Sequence, residues 1–147
     1  MQKSLLEQAK REIVREMSVR TQYVFAAPED SDGERYLISR LYAGRPKSKK
    51  ELRIDKWIRD LGPSKELLHD YNHRGISQEE YTKRFNQEKC SNPKALEILE
   101  ELRRKHKQGQ TFTLLCKCKE GEFCHRHLIK QMIMMSDEEW ERFKTLP

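Results

Sequence analysis

The chain has 147 residues, 30 Lys and Arg against 24 Asp and Glu, and a charged fraction of 37%, well above the roughly 25% of ordinary globular domains. That length supports a core burying roughly 68–70% of the unfolded surface, so no metal or disulfide is needed merely to hold the chain together. No run approaches the roughly 18 apolar residues of a membrane span, and residues 1–7 lack the apolar heart of a signal peptide; a cytosolic protein with no membrane partner is expected.

In a reducing compartment, closely spaced cysteines read as metal ligands or reagents before structural disulfides, although a Cys118 to Cys124 redox pair can be drawn. The formal charge of +6 is unevenly placed. Between Arg40 and Arg59 eight basic residues stand against Glu51 and Asp55, so this segment alone carries the whole excess. Such a patch points to an anionic partner, a small phosphorylated or nucleotide-like ligand or a nucleic-acid backbone, or else to a solvated lysine-rich loop.

Residues 4–17 put Leu5, Leu6, Ala9, Ile13 and Met17 on one helical face, with Ser4 and Glu7 at capping-box spacing. This is an amphipathic N-terminal helix, part of an extension over residues 1–18 of a single domain spanning 1–147. Residues 19–26 and 36–42 are β-branched or aromatic runs separated by the turn-forming Pro28 to Gly33, which predicts two strands joined by a loop. After Gly44 and Pro46, Ser48 and Glu51 form a second capping pair. The spacing of Ile54, Trp57, Ile58 and Leu61 then predicts a helix ending near Gly62 and Pro63.

Ser64 caps the next predicted helix, which turns Leu67, Leu68 and Tyr71 inward and stops at Gly75. Ser77 with Glu80 opens another, bearing Tyr81 and Phe85. Asn92 before Pro93 is a strong start signal, because Asn caps free amides and Pro at the first helical position sacrifices no hydrogen bond. That helix buries Ala95, Leu96, Leu99 and Leu102 and ends before Gly109. Residues 111–116 are too short for a helix and rich in β-formers, hence a buried strand. Leu128, Ile129, Met132 and Ile133 share a helical face, and Ser136 with Glu139 caps a last short helix carrying Trp140 and Phe143. The alternation implies an α/β fold, a small mostly parallel sheet flanked by helices.

Three of the four cysteines fall in the short stretch from Cys116 to Cys124. Ligands in open α/β folds collect at the carboxyl ends of strands and the amino ends of the following helices. Cys116 ends a predicted strand and Cys124 stands at a predicted helix start, where free amides and the helix dipole favour an anion. Cys124 is therefore a candidate nucleophile, and Arg126 a candidate anion ligand. His125 is placed to move protons, while Cys116 reads either as a reagent or as a small buried hydrophobe. The rival is tetrahedral metal coordination by Cys116, Cys118, Cys124 and His127 or His125, although Cys-x-Cys followed by a five-residue gap is not the usual knuckle spacing. A phosphatase-type loop fails, since the sixth residue after Cys118 is Cys124 and the sixth after Cys124 is Lys130. His69 and His73 lack a third ligand, and Cys90 stands alone.

Leu114-Leu115-Cys116 with Cys124-His125-Arg126 and Leu128-Ile129 resembles the domain-of-unknown-function family 488. Ser39-Arg40 followed by Arg45-Pro46-Lys47-Ser48 is similar to that family's other signature, and residues 57–64 with Leu67 resemble its YeaO-like branch. The resemblance spans roughly residues 21–134 and implies a compact α/β domain with a shared pocket, but no transferable activity or cofactor. Its implied pocket residues are Arg40, Arg45, Ser48, Cys116, Cys124, His125 and Arg126. Members often carry an acidic residue where this chain has Cys118, and Asp where it has Ser39. Both departures make the site richer in thiols and poorer in acids. The resulting expectation is a small enzyme or binding protein with an anion pocket built from Arg40, Arg45, Cys124 and Arg126, with Ser48 as a further anion-binding residue. The alternative is a non-catalytic nucleic-acid or partner-binding module with a structural Cys/His metal site.

Overall fold

The computed structural model describes residues 4–10, 19–41, 51–119 and 121–147. Within them lie α1 (residues 4–10), β1 (Val19–Tyr23), β2 (Glu34–Leu37), β3 (Lys56–Trp57), α2 (Lys65–His73), α3 (Gln78–Cys90), α4 (Pro93–Lys107), β4 (Phe112–Cys116), α5 (His125–Met134) and α6 (Asp137–Lys144). The sheet order is β1-β4-β2-β3, and every pairing is parallel. All four strands therefore end on one edge. No helix among the described residues is long and apolar enough to cross a membrane.

A parallel sheet needs both faces covered, and β4 is buried along its whole length. One face carries Val19, Tyr36, Ile38, Phe112 and Leu114 against Phe85, Leu99, Ile129, Met132 and Ile133 from the helices. Leu37 and Leu115 point the other way, where Leu52 and Ile54 cover them. The helix starts follow local capping chemistry: Ser64, Ser77, Asn92 and Ser136 each accept amide hydrogen bonds from the first turn. At the far end, Arg103 donates to the carbonyls of Met132, Ile133 and Met135 and pairs with Asp137 at 3.1 Å, joining the end of α5 to the start of α6.

The helix expected over residues 54–61 is absent. Lys56 and Trp57 instead pair with Tyr36 and Leu37 as β3, and residues 59–61 form a single 3-10 turn. The spacing of Ile54, Ile58 and Leu61 is apolar in either arrangement, and a buried arginine decides between them. Arg35, fully buried, donates to the carbonyls of Leu52 and Arg53, while its backbone amide donates to the Asp55 carboxylate at 2.7 Å. These bonds hold residues 52–55 as a turn that leads into β3, and Arg53 takes a φ of +51° that an α-helix forbids.

β1 and β2 do not pair with each other, because β4 inserts between them. Their connection returns through a 3-10 turn at Asp30–Asp32 and Gly33. Gly33 has φ +66°, and a Cβ there would sit 2.0 Å from the Thr111 carbonyl oxygen. Both strands are also shorter than residues 19–26 and 36–42, and β2 begins two residues earlier. In α1, Leu5 and Leu6 are exposed; Ile13 and Met17 lie outside the described residues, as does Ser48 of the second capping pair.

Asp32 and Arg35 form a fully buried ion pair at 2.6 Å. Burial by itself would raise the Asp32 carboxyl, but the Glu29 amide, Arg35 and Arg20 outweigh it and hold the group below its ordinary 3.8. The folded state thus binds this proton less tightly than the unfolded chain. The resulting stability is present above about pH 4 and is lost as pH falls through the folded-state value. Asp32→Asn strands the Arg35 charge and should cost about 3–5 kcal/mol at pH 7, read by urea unfolding. The gap from the parent chain should narrow below about pH 4, and a gap independent of pH would contradict this account.

Candidate functional site

The edge where the four strands end is also where the reactive side chains gather. Cys116 is the last residue of β4, Ile38 directly follows β2, and Cys124 is the N-cap of α5 with His125 as its first residue. The loop between β4 and α5 carries Cys118. Cys116, Cys124 and His125 are buried and Cys118 is half-buried.

Cys116, Cys124 and His125 converge, and Cys118 adjoins them through Cys116. The Cys116 and Cys118 sulfurs lie 3.9 Å apart, and the Nδ1 of His125 is 3.9 Å from the Cys116 sulfur and 3.7 Å from that of Cys124. The donor atoms of Cys116, Cys124 and His125 all lie within 4.8 Å of one another, and all three cysteines are free thiols. The other ring nitrogen of His125 is 2.6 Å from the Ile38 carbonyl oxygen. A carbonyl only accepts, so Nε2 carries the hydrogen and Nδ1 presents a bare lone pair to the sulfurs.

The cluster's electrostatics follow from crowding. Hydrogen bonding with Cys118 and then Cys124 holds the Cys116 thiol far below its ordinary value, and the Arg126 charge adds to this. Hydrogen bonding with Cys116 pushes Cys118 and Cys124 up, aided by burial; Cys118 adds to the rise at Cys124, while Cys124 opposes it at Cys118. The cluster as a whole therefore favours a negative charge, with Cys116 lowered by its neighbours. Burial drives His125 down to about 4, against the pull of the Ile38 carbonyl, so the ring is neutral at pH 7.

Buried charges brace the cluster. Arg126 is fully buried, and its guanidinium donates to the carbonyls of Cys118 and Lys119, pinning the thiol-bearing loop to α5. Lys89 on α3 donates to the carbonyls of Asp60 and Gly62 at 2.9 and 2.6 Å, beside Phe85, whose ring packs 5.7 Å from that of His125. Gly62 in turn abuts the strand end: a Cβ there would lie 2.6 Å from the Arg40 amide nitrogen.

A cavity of about 190 Å³ opens over the cluster. Its walls are Ser39, Arg40, Pro63, Leu68, Tyr71 and Asn72, with Tyr81 and Phe123 in edge-to-face contact at 5.3 Å. Cys116, Cys118, Cys124 and His125 line it too. Of the residues singled out in the sequence, the structure brings these four together with Arg40. Arg126 is fully buried and donates to the carbonyls of Cys118 and Lys119, and His127 is exposed in the first turn of α5. Arg45 and Ser48 lie outside the described residues. His69 and His73 are exposed on α2 with their rings 4.9 Å apart and tilted by 44°, and are not part of the cluster. Cys90 is buried at the end of α3, its thiol directed to the Gln87 carbonyl. Sequence reasoning missed Phe123, Asn72 and Lys89, and it placed Tyr71 and Tyr81 only in the core.

A parallel α/β layer with a cysteine–histidine cluster at its carboxyl edge is the class that fold and site define. The chain belongs to the domain-of-unknown-function family 488: the profile of DUF488-N3a, described as the active DUF488-N3 subclade, matches residues 19–137. Proteins of Mycobacterium tuberculosis and Mycobacterium bovis, each carrying the name Uncharacterized protein, are 33% identical to it over 76 residues, covering 52% of this chain and 64% of theirs. The chain thus spans about 64% of the length of these curated relatives. No solved structure matches it.

Because a Cβ on Gly62 meets backbone rather than a yielding side chain, Gly62→Ala must displace Ser39 and Arg40. The expected cost is about 1–3 kcal/mol, with amide shifts at residues 38–40 and 125 in NMR spectra. Unchanged stability and shifts confined to residues 61–63 would contradict this packing.

Proposed function

We propose that this chain is a small enzyme that takes an anionic small molecule, a phosphorylated or nucleotide-like compound, into the cavity above the sulfur–imidazole cluster. The observation that carries the reading is the composition of that cavity: a cationic side chain, Arg40, an aromatic wall of Tyr71, Tyr81 and Phe123, and a floor of thiols and a neutral imidazole. Arg40 would hold the anion through charge-assisted, forked hydrogen bonds, and the aromatic wall would take the apolar body. Arg45 and Ser48, which follow closely in the sequence, are assigned to the same anion. Arg126 serves it indirectly, by fixing the loop that carries Cys118.

The volume of about 190 Å³ is below the roughly 300–1,000 Å³ of drug-sized sites. It suits a compact ligand or one end of a longer one. The description of the matching subclade as active supports catalysis over passive binding. Within the cavity, Cys116 rather than Cys124 is the sulfur best able to carry negative charge.

Titration calorimetry with inorganic phosphate and with a nucleoside monophosphate tests the reading. At least one should bind the parent chain, and Arg40→Ala should weaken it by about 10- to 100-fold, the loss of one charge-assisted contact of roughly 1.5–3 kcal/mol. Equal binding by parent and variant would sink the proposal. So would indifference to both probes combined with salt-dependent binding of a single-stranded oligonucleotide, which would favour a nucleic-acid module.

A further inference from the structure

Whatever the cavity takes, its floor has the donor set of a metal centre. With zinc–sulfur bonds of about 2.3 Å and zinc–nitrogen bonds of about 2.0–2.1 Å, tetrahedral geometry places neighbouring donors about 3.5–3.8 Å apart. The measured separations are 3.9 Å for Cys116 to Cys118, 3.9 Å for Cys116 to His125 and 3.7 Å for Cys124 to His125. Cys116, Cys124 and His125 already lie within 4.8 Å of one another, and Cys118, in contact with Cys116, completes the shell by a movement of the loop that carries it.

The imidazole supplies an independent argument. Histidines that bind metals commonly donate their second N–H to a backbone carbonyl or carboxylate, which fixes the tautomer and aims the free lone pair. The 2.6 Å contact from Nε2 to the Ile38 carbonyl does this for His125, inside a buried site. Two thiols and an imidazole lone pair within 4.8 Å of one another, with the Cys118 thiol against Cys116, have few ways to satisfy one another, since sulfur is a poor hydrogen-bonding partner.

We infer that Cys116, Cys118, Cys124 and His125 bind one Zn²⁺ in a closed tetrahedral site at the carboxyl edge of the sheet. Three thiolates and one nitrogen form a soft donor set in the geometry that zinc favours. Binding releases the remaining thiol protons to solvent, and no electron is transferred. Three thiolates leave the centre with one net negative charge, which the buried guanidinium of Arg126 offsets while holding the Cys118 loop in place. His125 takes the position for which His127 is the alternative in the sequence, because His127 faces outward. The ion ties β4, the loop and α5 together and forms the base of the cavity, so its presence is independent of the anion held by Arg40.

The test uses the 147-residue chain purified under reducing conditions and freed of metal. Zinc should bind at one equivalent, measured by plasma mass spectrometry after gel filtration. Cobalt should give the intense visible bands and sulfur-to-metal charge transfer of a tetrahedral thiolate site. Cys118→Ala removes a half-buried side chain on a loop, so its fold should survive. It should weaken zinc by more than the roughly 100-fold that loss of an outer partner costs. His127→Ala and Cys90→Ser should bind as the parent does. The inference is overturned if the parent takes up no zinc, if cobalt gives only a weak octahedral spectrum, or if Cys118→Ala binds normally. It is overturned equally if His127→Ala loses the ion. A zinc-free chain that still binds phosphate through Arg40 would remove the metal centre and leave the anion pocket standing.

Discussion

The hydrogen bond from His125 to the Ile38 carbonyl is the contact around which the candidate site is organised. It links the end of β2 to the first turn of α5 across 87 residues of sequence, and it does two things at once. It satisfies a backbone acceptor just beyond the strand, where the ladder no longer can, and it determines which nitrogen of a buried ring faces the thiols. With the tautomer reversed, Nδ1 would carry a hydrogen toward the sulfurs and the cluster would have one donor lone pair fewer.

This contact is held in place by buried cations aimed at carbonyls. Lys89 gathers the Asp60 and Gly62 carbonyls beneath the cavity wall, Arg126 gathers those of Cys118 and Lys119, and Arg103 does the same at the other end of α5. Loops between buried elements have backbone groups that no ladder satisfies, and long cationic side chains meet that need while their apolar stems pack in the core. Burial pushes Lys89 below its ordinary value, with Glu88 and Asp60 acting against it. The helices are thereby locked to the strand ends, and the cluster inherits that rigidity.

The parts of the fold legible in the sequence are those decided locally. Ser64, Ser77, Asn92 before Pro93, and Ser136 with Glu139 mark helix starts because the capping atom and the amides it serves are a few residues apart. Residues 112–116 read as a buried strand for the same reason, a short apolar run with no helical length. The segment before Gly62 reads as a helix because its apolar spacing fits a helix as well as a short strand followed by a tight turn. The deciding contact, Arg35 to the Leu52 and Arg53 carbonyls, comes from another strand. The site divides along the same line. Cys116 at a strand end and Cys124 at a helix start could be brought together from the sequence. The choice of His125 over His127 could not, since it depends on a backbone carbonyl that has no side-chain signature. Arg126 beside Cys124 reads as an anion ligand in the sequence; its hydrogen bonds to the Cys118 and Lys119 carbonyls of the preceding loop have no signature there.

The central claim is that His125 is neutral, with the hydrogen on Nε2 and a lone pair on Nδ1 directed at the sulfurs. Nitrogen-15 correlation spectra of the imidazole side chains at pH 7 test it directly. The account predicts a protonated Nε2 for His125, hydrogen-bonded and protected from exchange, and an unprotonated Nδ1. A hydrogen on Nδ1, or an imidazolium with both nitrogens protonated, would contradict it.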